Sequence, residues 1–253
     1  MKVREMKRVN PVILVMVAFA VLQSGCGVNH PSADEIISKA IEKHGGELYA
    51  NADVQFKFRD QIFLTKIENG EYEVQRVYKN EDGEIVDQLK GKDFVRKVNS
   101  KEVELDKRKK TDLYNTANSV VYFALLPYRL NDPAVNKQLM CTQDVEGQPY
   151  YKVEITFDSN GGGDDFEDSF IYWIHKENFT VDYLAYSYHI NGGGVRFRKA
   201  YNQREVNGIR FQDYVNYTID TDFPAHELDF AFETGKLREL SRIKLEDVQV
   251  SVK

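Results

Sequence analysis

Five carboxylates crowd one short stretch of this 253-residue chain, where Asp158-Ser-Asn-Gly-Gly-Gly-Asp164-Asp165-Phe-Glu167-Asp168 sets them around three glycines. Hard cations such as calcium take several oxygen ligands on a flexible loop, so Asp158, Asp164, Asp165, Glu167 and Asp168 are the metal candidates. Their spacing does not follow the twelve-residue EF-hand pattern. If residues 150–217 run up and down as a meander, the loops at 158–165 and 191–194 share one rim, two strand spacings or roughly 10 Å apart. His189 and Arg196 then approach Asp164 and Asp165. Carboxylate, imidazole and guanidinium together can hold a metal or, when oriented, do acid–base work. The plainer reading, which the residues favour, is a solvated acidic turn with a salt bridge to Arg196 or Arg198, worth about 0–1 kcal/mol.

The remaining reactive side chains carry less. His44 falls at a helix C-terminus, where its charge suits the dipole. His175 is most of a strand away from His189, so the two do not chelate. There is no Gly-x-Ser-x-Gly elbow, phosphate loop or Cys-x-x-Cys, and nothing calls for a cofactor. Cys141 reads as a small buried hydrophobe. Trp173 with Tyr183, Tyr186 and Tyr188 would suit sugar stacking, but on alternating strands such rings read first as sheet packing.

The N-terminus carries an address. Lys2, Arg4, Lys7 and Arg8 precede the uncharged apolar run Val12–Leu22, then Ser24, Gly25 and Cys26. The run is short of the ~20 residues that span a bilayer and has the proportions of a secretory signal. Cys26 at the cleavage point resembles a bacterial lipobox, in which the thiol is acylated, although Gln23 stands where such motifs usually place Leu. The alternative is a plain signal cleaved nearby. Cys26 and Cys141 are the two cysteines, so acylation of Cys26 leaves Cys141 without an intrachain partner. Net charge is −6, and residues 1–25 contribute +3, which leaves the body at −9. An acidic body is a poor phosphate binder and argues against nucleic acid as a partner.

The elements follow from periodicity. Ser32 and Glu35 form a capping box ahead of an apolar helical face at Ala33, Ile36, Ile37, Ala40 and Ile41. From Val54 the period is two, with Asn69-Gly70 and Asp82-Gly83 as turns. A second helix, apolar nearly all round, is predicted near 111–126 and is stopped by Pro127. Strands resume after Gln148, including Leu228 to Glu233, with short glycine-marked links that favour antiparallel neighbours. The expectation is a mainly β fold with α: a strongly curved antiparallel sheet of about ten to eleven strands, an open or half β-barrel. Residues 1–25 are a signal peptide, 26–31 a tether and 32–253 one domain.

Two stretches carry a resemblance. One is Ser119-Val-Val-Tyr-Phe-Ala-Leu-Leu-Pro-Tyr-Arg-Leu-Asn-Asp-Pro133; the other runs from Gly161 through Asp182-Tyr-Leu-Ala-Tyr-Ser-Tyr188 to Tyr217. They are similar to an uncharacterised family of bacterial lipoproteins. The element order is in turn similar to the lipoprotein-carrier superfamily of the LolA, LolB and LppX type. That likeness implies a half-barrel whose concave face is closed by helices and holds acyl chains. Some sequences of this appearance carry a deoxyribose-phosphate aldolase name, which the absence of βα repetition rejects. Under the resemblance, Val120, Tyr122, Phe123, Leu125, Leu126 and Tyr128 line a lipid cavity; otherwise they plug the half-barrel as core. The functional expectation is a periplasmic or outer-membrane lipoprotein, tethered through Cys26, that binds an apolar ligand such as lipid. The alternatives are a small metal-dependent enzyme on the acidic rim, or a structural lipoprotein with a filled core.

Overall fold

Ser32 opens the first helix in the computed structural model, which describes residues 31–68, 71–158, 169–188, 193–220 and 223–253. The capping box is present: Glu35 N donates to Ser32 Oγ at 3.2 Å, and Ser32 N donates to Glu35 Oε2 at 2.8 Å. The helix α1 (Ala33–His44) buries Ile36, Ile37 and Ala40. Gly45 ends it at φ +149°, and a Cβ there would meet the Tyr49 ring at 3.0 Å. His44 departs from expectation. It is buried, and desolvation lowers its pKa to about 4, so at neutral pH it brings no charge to the dipole.

Six strands follow as a meander: β1 (Ala52–Phe58), β2 (Gln61–Glu68), β3 (Glu71–Asn80), β4 (Gly83–Lys90), β5 (Asp93–Val98) and β6 (Lys101–Val103). The helix α2 (Lys107–Ala124), N-capped by Asp106, then leads into β7 (Val135–Val145). A second meander continues with β8 (Gln148–Phe157), β9 (Phe170–His175), β10 (Val181–Tyr188), β11 (Gly194–Val206) and β12 (Ile209–Thr218). After the short helix α3 (Leu228–Glu233), β13 (Arg238–Ile243) joins the second sheet beside β12, and β14 (Glu246–Val252) joins the first beside β1. Each sheet has seven antiparallel strands and neither closes: β14 and β6 are the edges of the first, β13 and β7 of the second. The fold class read from the sequence holds, an open and mainly β architecture with helices against the sheets.

The strand count is fourteen among the described residues, not ten to eleven. Arg59, at φ +56°, turns the chain without a glycine, so one expected strand is a hairpin. β7 was not expected, because as a sheet edge it leaves most of its side chains exposed and shows no apolar alternation. Cys141 lies on it and is exposed rather than buried. Leu228–Glu233 alternates like a strand yet is helical, with Leu228 and Ala231 buried.

The second helix is apolar on several sides because two cores meet on it. Ala117, Val121, Ala124 and Leu125 pack with Phe56, Phe63 and Val74 of the first sheet. Tyr122 and Phe123 turn to the second sheet, packing with Phe170, Tyr172 and Leu184 in the cluster that also holds α1. The other face of the second sheet is covered as well: Trp173, Tyr183 and Phe197 pack against Leu228 and Phe232.

Candidate functional site

The rim constellation lies mostly beyond what the structure describes. Asp164, Asp165, Glu167, Asp168 and His189 fall outside the described residues, as does Cys26. Asp158 accepts from Asn136 Nδ2 at 2.8 Å. Arg196 donates from Nη1 to Val195 O at 2.8 Å and Thr218 Oγ1 at 3.1 Å, with its guanidinium 4.8 Å above the Tyr188 ring. Among the described residues, no group of three His, Cys, Asp or Glu is placed to hold a metal. Trp173 and Tyr183 are buried, Tyr183 stacking on Phe197 at 5.6 Å, so these rings pack the sheet.

The six residues expected around a cavity part company. Leu125 belongs to the core of the first sheet and Leu126 to that of the second. Tyr122 packs edge-on against Phe123 at 5.6 Å, and burial pushes its hydroxyl pKa up to about 12. Tyr128 stacks on Tyr49 at 4.6 Å. Val120 and Phe123 line an open cavity of about 350 Å³ between α2, the β1–β2 turn and the second sheet. Phe58, Phe170, Tyr186 and Leu245 complete its apolar wall. The volume lies at the lower end of the range of roughly 300–1,000 Å³ typical of small-molecule pockets.

Strand register puts polar groups into the same cavity. Arg198 pairs with Leu184 on one side and Asn216 on the other. Period two then places Gln212, Tyr214 and Asn216 on one face of β12, and all three line the space with Arg198. Arg198, Gln212 and Asn216 are only 8%, 6% and 7% exposed. The guanidinium of Arg198 sits 4.0 Å from the centre of the Phe123 ring, and Nη2 donates to Tyr186 Oη at 2.8 Å. Its Nε has no hydrogen-bond partner, and no ion pair of Arg198 with a carboxylate is found among the described residues. Desolvating a charge costs several kcal/mol, whereas a cation–π contact returns about 0.5–2. Gln212 Nε2 donates to Val181 O at 2.8 Å and Tyr214 Oη at 2.7 Å, leaving Oε1 without a partner. Asn216 Nδ2 donates to Ser241 Oγ at 3.3 Å, and its Oδ1 is likewise unpartnered.

A larger polar cleft of about 900 Å³ lies alongside β3, β4 and α2. Most of its charged groups are engaged: Lys66 with Glu68, Lys90 with Glu73, and Arg129 with Tyr72 and Asp132. The smaller cavity is therefore the stronger candidate. Sequence reasoning found Val120 and Phe123 but took Arg198 for a surface ion-pair partner. The available signal was an arginine inside the run Val195–Ala200, in a sheet covered on both faces.

Residues 12–245 match the model described as "Family of unknown function (DUF6503)". No curated protein matches the chain. Among solved structures, the chain is similar to a LolA superfamily protein from Nitrosomonas europaea, at 12% identity over 87% of this chain and 94% of that one, with a TM-score of 0.49. It is similar to a DUF1329 family protein from Desulfovibrio piger at 10% identity, over 87% of this chain and 93% of that one, TM-score 0.43. It is also similar to lipoprotein LppX from Mycobacterium tuberculosis at 10% identity, over 62% of this chain and 87% of that one, TM-score 0.28.

Proposed function

The chain belongs to that family of unknown function, and we infer that it binds an apolar, lipid-like ligand in the α2 cavity while tethered to an envelope membrane through Cys26. The observation that supports this reading is the cavity itself. Phe58, Val120, Phe123 and Phe170 border open space of about 350 Å³ instead of filling it. Apolar surface of this kind gains roughly 25 cal/mol per Å² when a ligand removes it from water. Among the described residues, no helix is long and apolar enough to cross a membrane. The acyl group at Cys26 is the attachment this reading assigns.

The test compares residues that border the space with residues that do not. Delipidated protein is titrated with an uncharged fluorescent acyl probe. Val120→Trp fills the cavity and lowers uptake at least about tenfold, with the unfolding midpoint nearly unchanged. Leu125→Ala opens a hole in packed core and costs about 2–5 kcal/mol in urea unfolding, while the folded fraction still takes up probe. Wild-type protein that binds no apolar probe overturns the reading.

A further inference from the structure

We propose that the cavity selects amphiphiles with an anionic oxygen head, and that Arg198 is the residue that receives the head. This rests on the reading of the cavity as a lipid-type site. Three observations carry it. Among the described residues, those lining the cavity include two arginines, Arg59 at the β1–β2 turn and Arg198 inside, and no Asp or Glu. The chain as a whole has net charge −6, so a recess whose described lining holds arginines and no carboxylate runs against its composition. Within that recess Arg198 is more than nine-tenths buried, with Nε unpartnered.

A guanidinium remains charged at any physiological pH and presents a planar fork of donors that matches a carboxylate or phosphate. Phe123 and Tyr186 lie side by side against the fork, with ring centres 4.0 and 5.2 Å from the guanidinium carbon, and pre-orient it without neutralising it. An oxyanion supplies what these rings do not. The unpartnered oxygens Gln212 Oε1 and Asn216 Oδ1 accept, so they suit a head that also presents a hydroxyl or N–H, or a water bridging to it. The apolar wall at Phe58, Val120 and Phe170 takes the chain. A cavity of about 350 Å³ fits one chain rather than several. The ligand class is therefore a single-chain anionic amphiphile, with a carboxylate or phosphate head.

Calorimetric titration of delipidated protein at neutral pH with dodecanoate, dodecyl phosphate and dodecanol separates the terms. Wild type should bind both anions at least about tenfold tighter than dodecanol; the tighter anion identifies the head. Arg198→Met should bring the anions to the level of dodecanol and leave dodecanol itself unchanged. Arg198→Lys keeps the charge but not the fork, and should retain part of the preference. Equal affinity of wild type for anions and dodecanol overturns the anion proposal and leaves the cavity reading intact. Binding of none of the three overturns both. If Arg198→Met does not fold, the wild-type ratio still decides the anion preference, and an undiminished preference in Arg198→Lys overturns the assignment to Arg198.

Discussion

His44 is a case where burial changes the sign of a residue's contribution. Its Nδ1 lies 2.8 Å from Ala40 O, while Nε2 is buried without a partner. Desolvation dominates and carries the pKa from 6.5 down to about 4. Between those two values the unfolded chain holds a proton that the folded chain does not. Stability therefore falls as pH drops through this window and is fully retained above it. The loss approaches about 3 kcal/mol once both forms are protonated. His44→Leu removes the titration and should flatten the dependence of urea-unfolding free energy on pH between about 6.5 and 4. Parallel curves for variant and wild type would rule this out. The same physics sets Arg198 apart: a histidine escapes burial by losing its proton, whereas an arginine does not.

At the scale of elements, legibility tracked the distance between the residues that decide an element. The cap of α1 was readable because Ser32 and Glu35 are three residues apart and complete each other. The apolar breadth of α2 was readable too, though not that two sheets share it. In contrast, α3 is decided by groups far away in sequence. Asp229 is buried and accepts from Lys152 Nζ at 2.8 Å and Trp173 Nε1 at 3.1 Å, so the helix packs its polar position inward. Leu228, Phe230 and Phe232 alone spell a strand. β7 escaped notice for the opposite reason: an edge strand needs no apolar code, since its order comes from hydrogen bonds to β8. Asp229→Ala should cost about 3–5 kcal/mol in denaturant unfolding, because Lys152 is left charged and buried. Pairing it with Lys152→Met should recover much of that loss. A single variant within about 0.5 kcal/mol of wild type would show that the pair does not hold α3.

For the molecule as a whole, the proposed binding and the proposed anchoring fall on different units, since the chain divides between Pro31 and Ser32. The cap that starts α1 is Ser32, the first residue of the second unit. A single acyl chain gives only marginal membrane affinity, about 10⁴ M⁻¹, and firm attachment needs more than one. The body offers little help, since its charge of −9 is repelled by anionic headgroups. If Cys26 is the anchor, attachment depends almost wholly on its acyl groups. Cys26→Ser should move the protein from the membrane fraction to the soluble fraction and abolish labelling by a palmitate analogue. Its melting temperature and its preference for dodecanoate over dodecanol should not change, since the α1 cap and every described residue lining the cavity lie at or beyond Ser32. A wild-type protein that is itself unlabelled and soluble would remove the lipobox reading, with Gln23 as the departure that mattered. The cavity would then act in free solution.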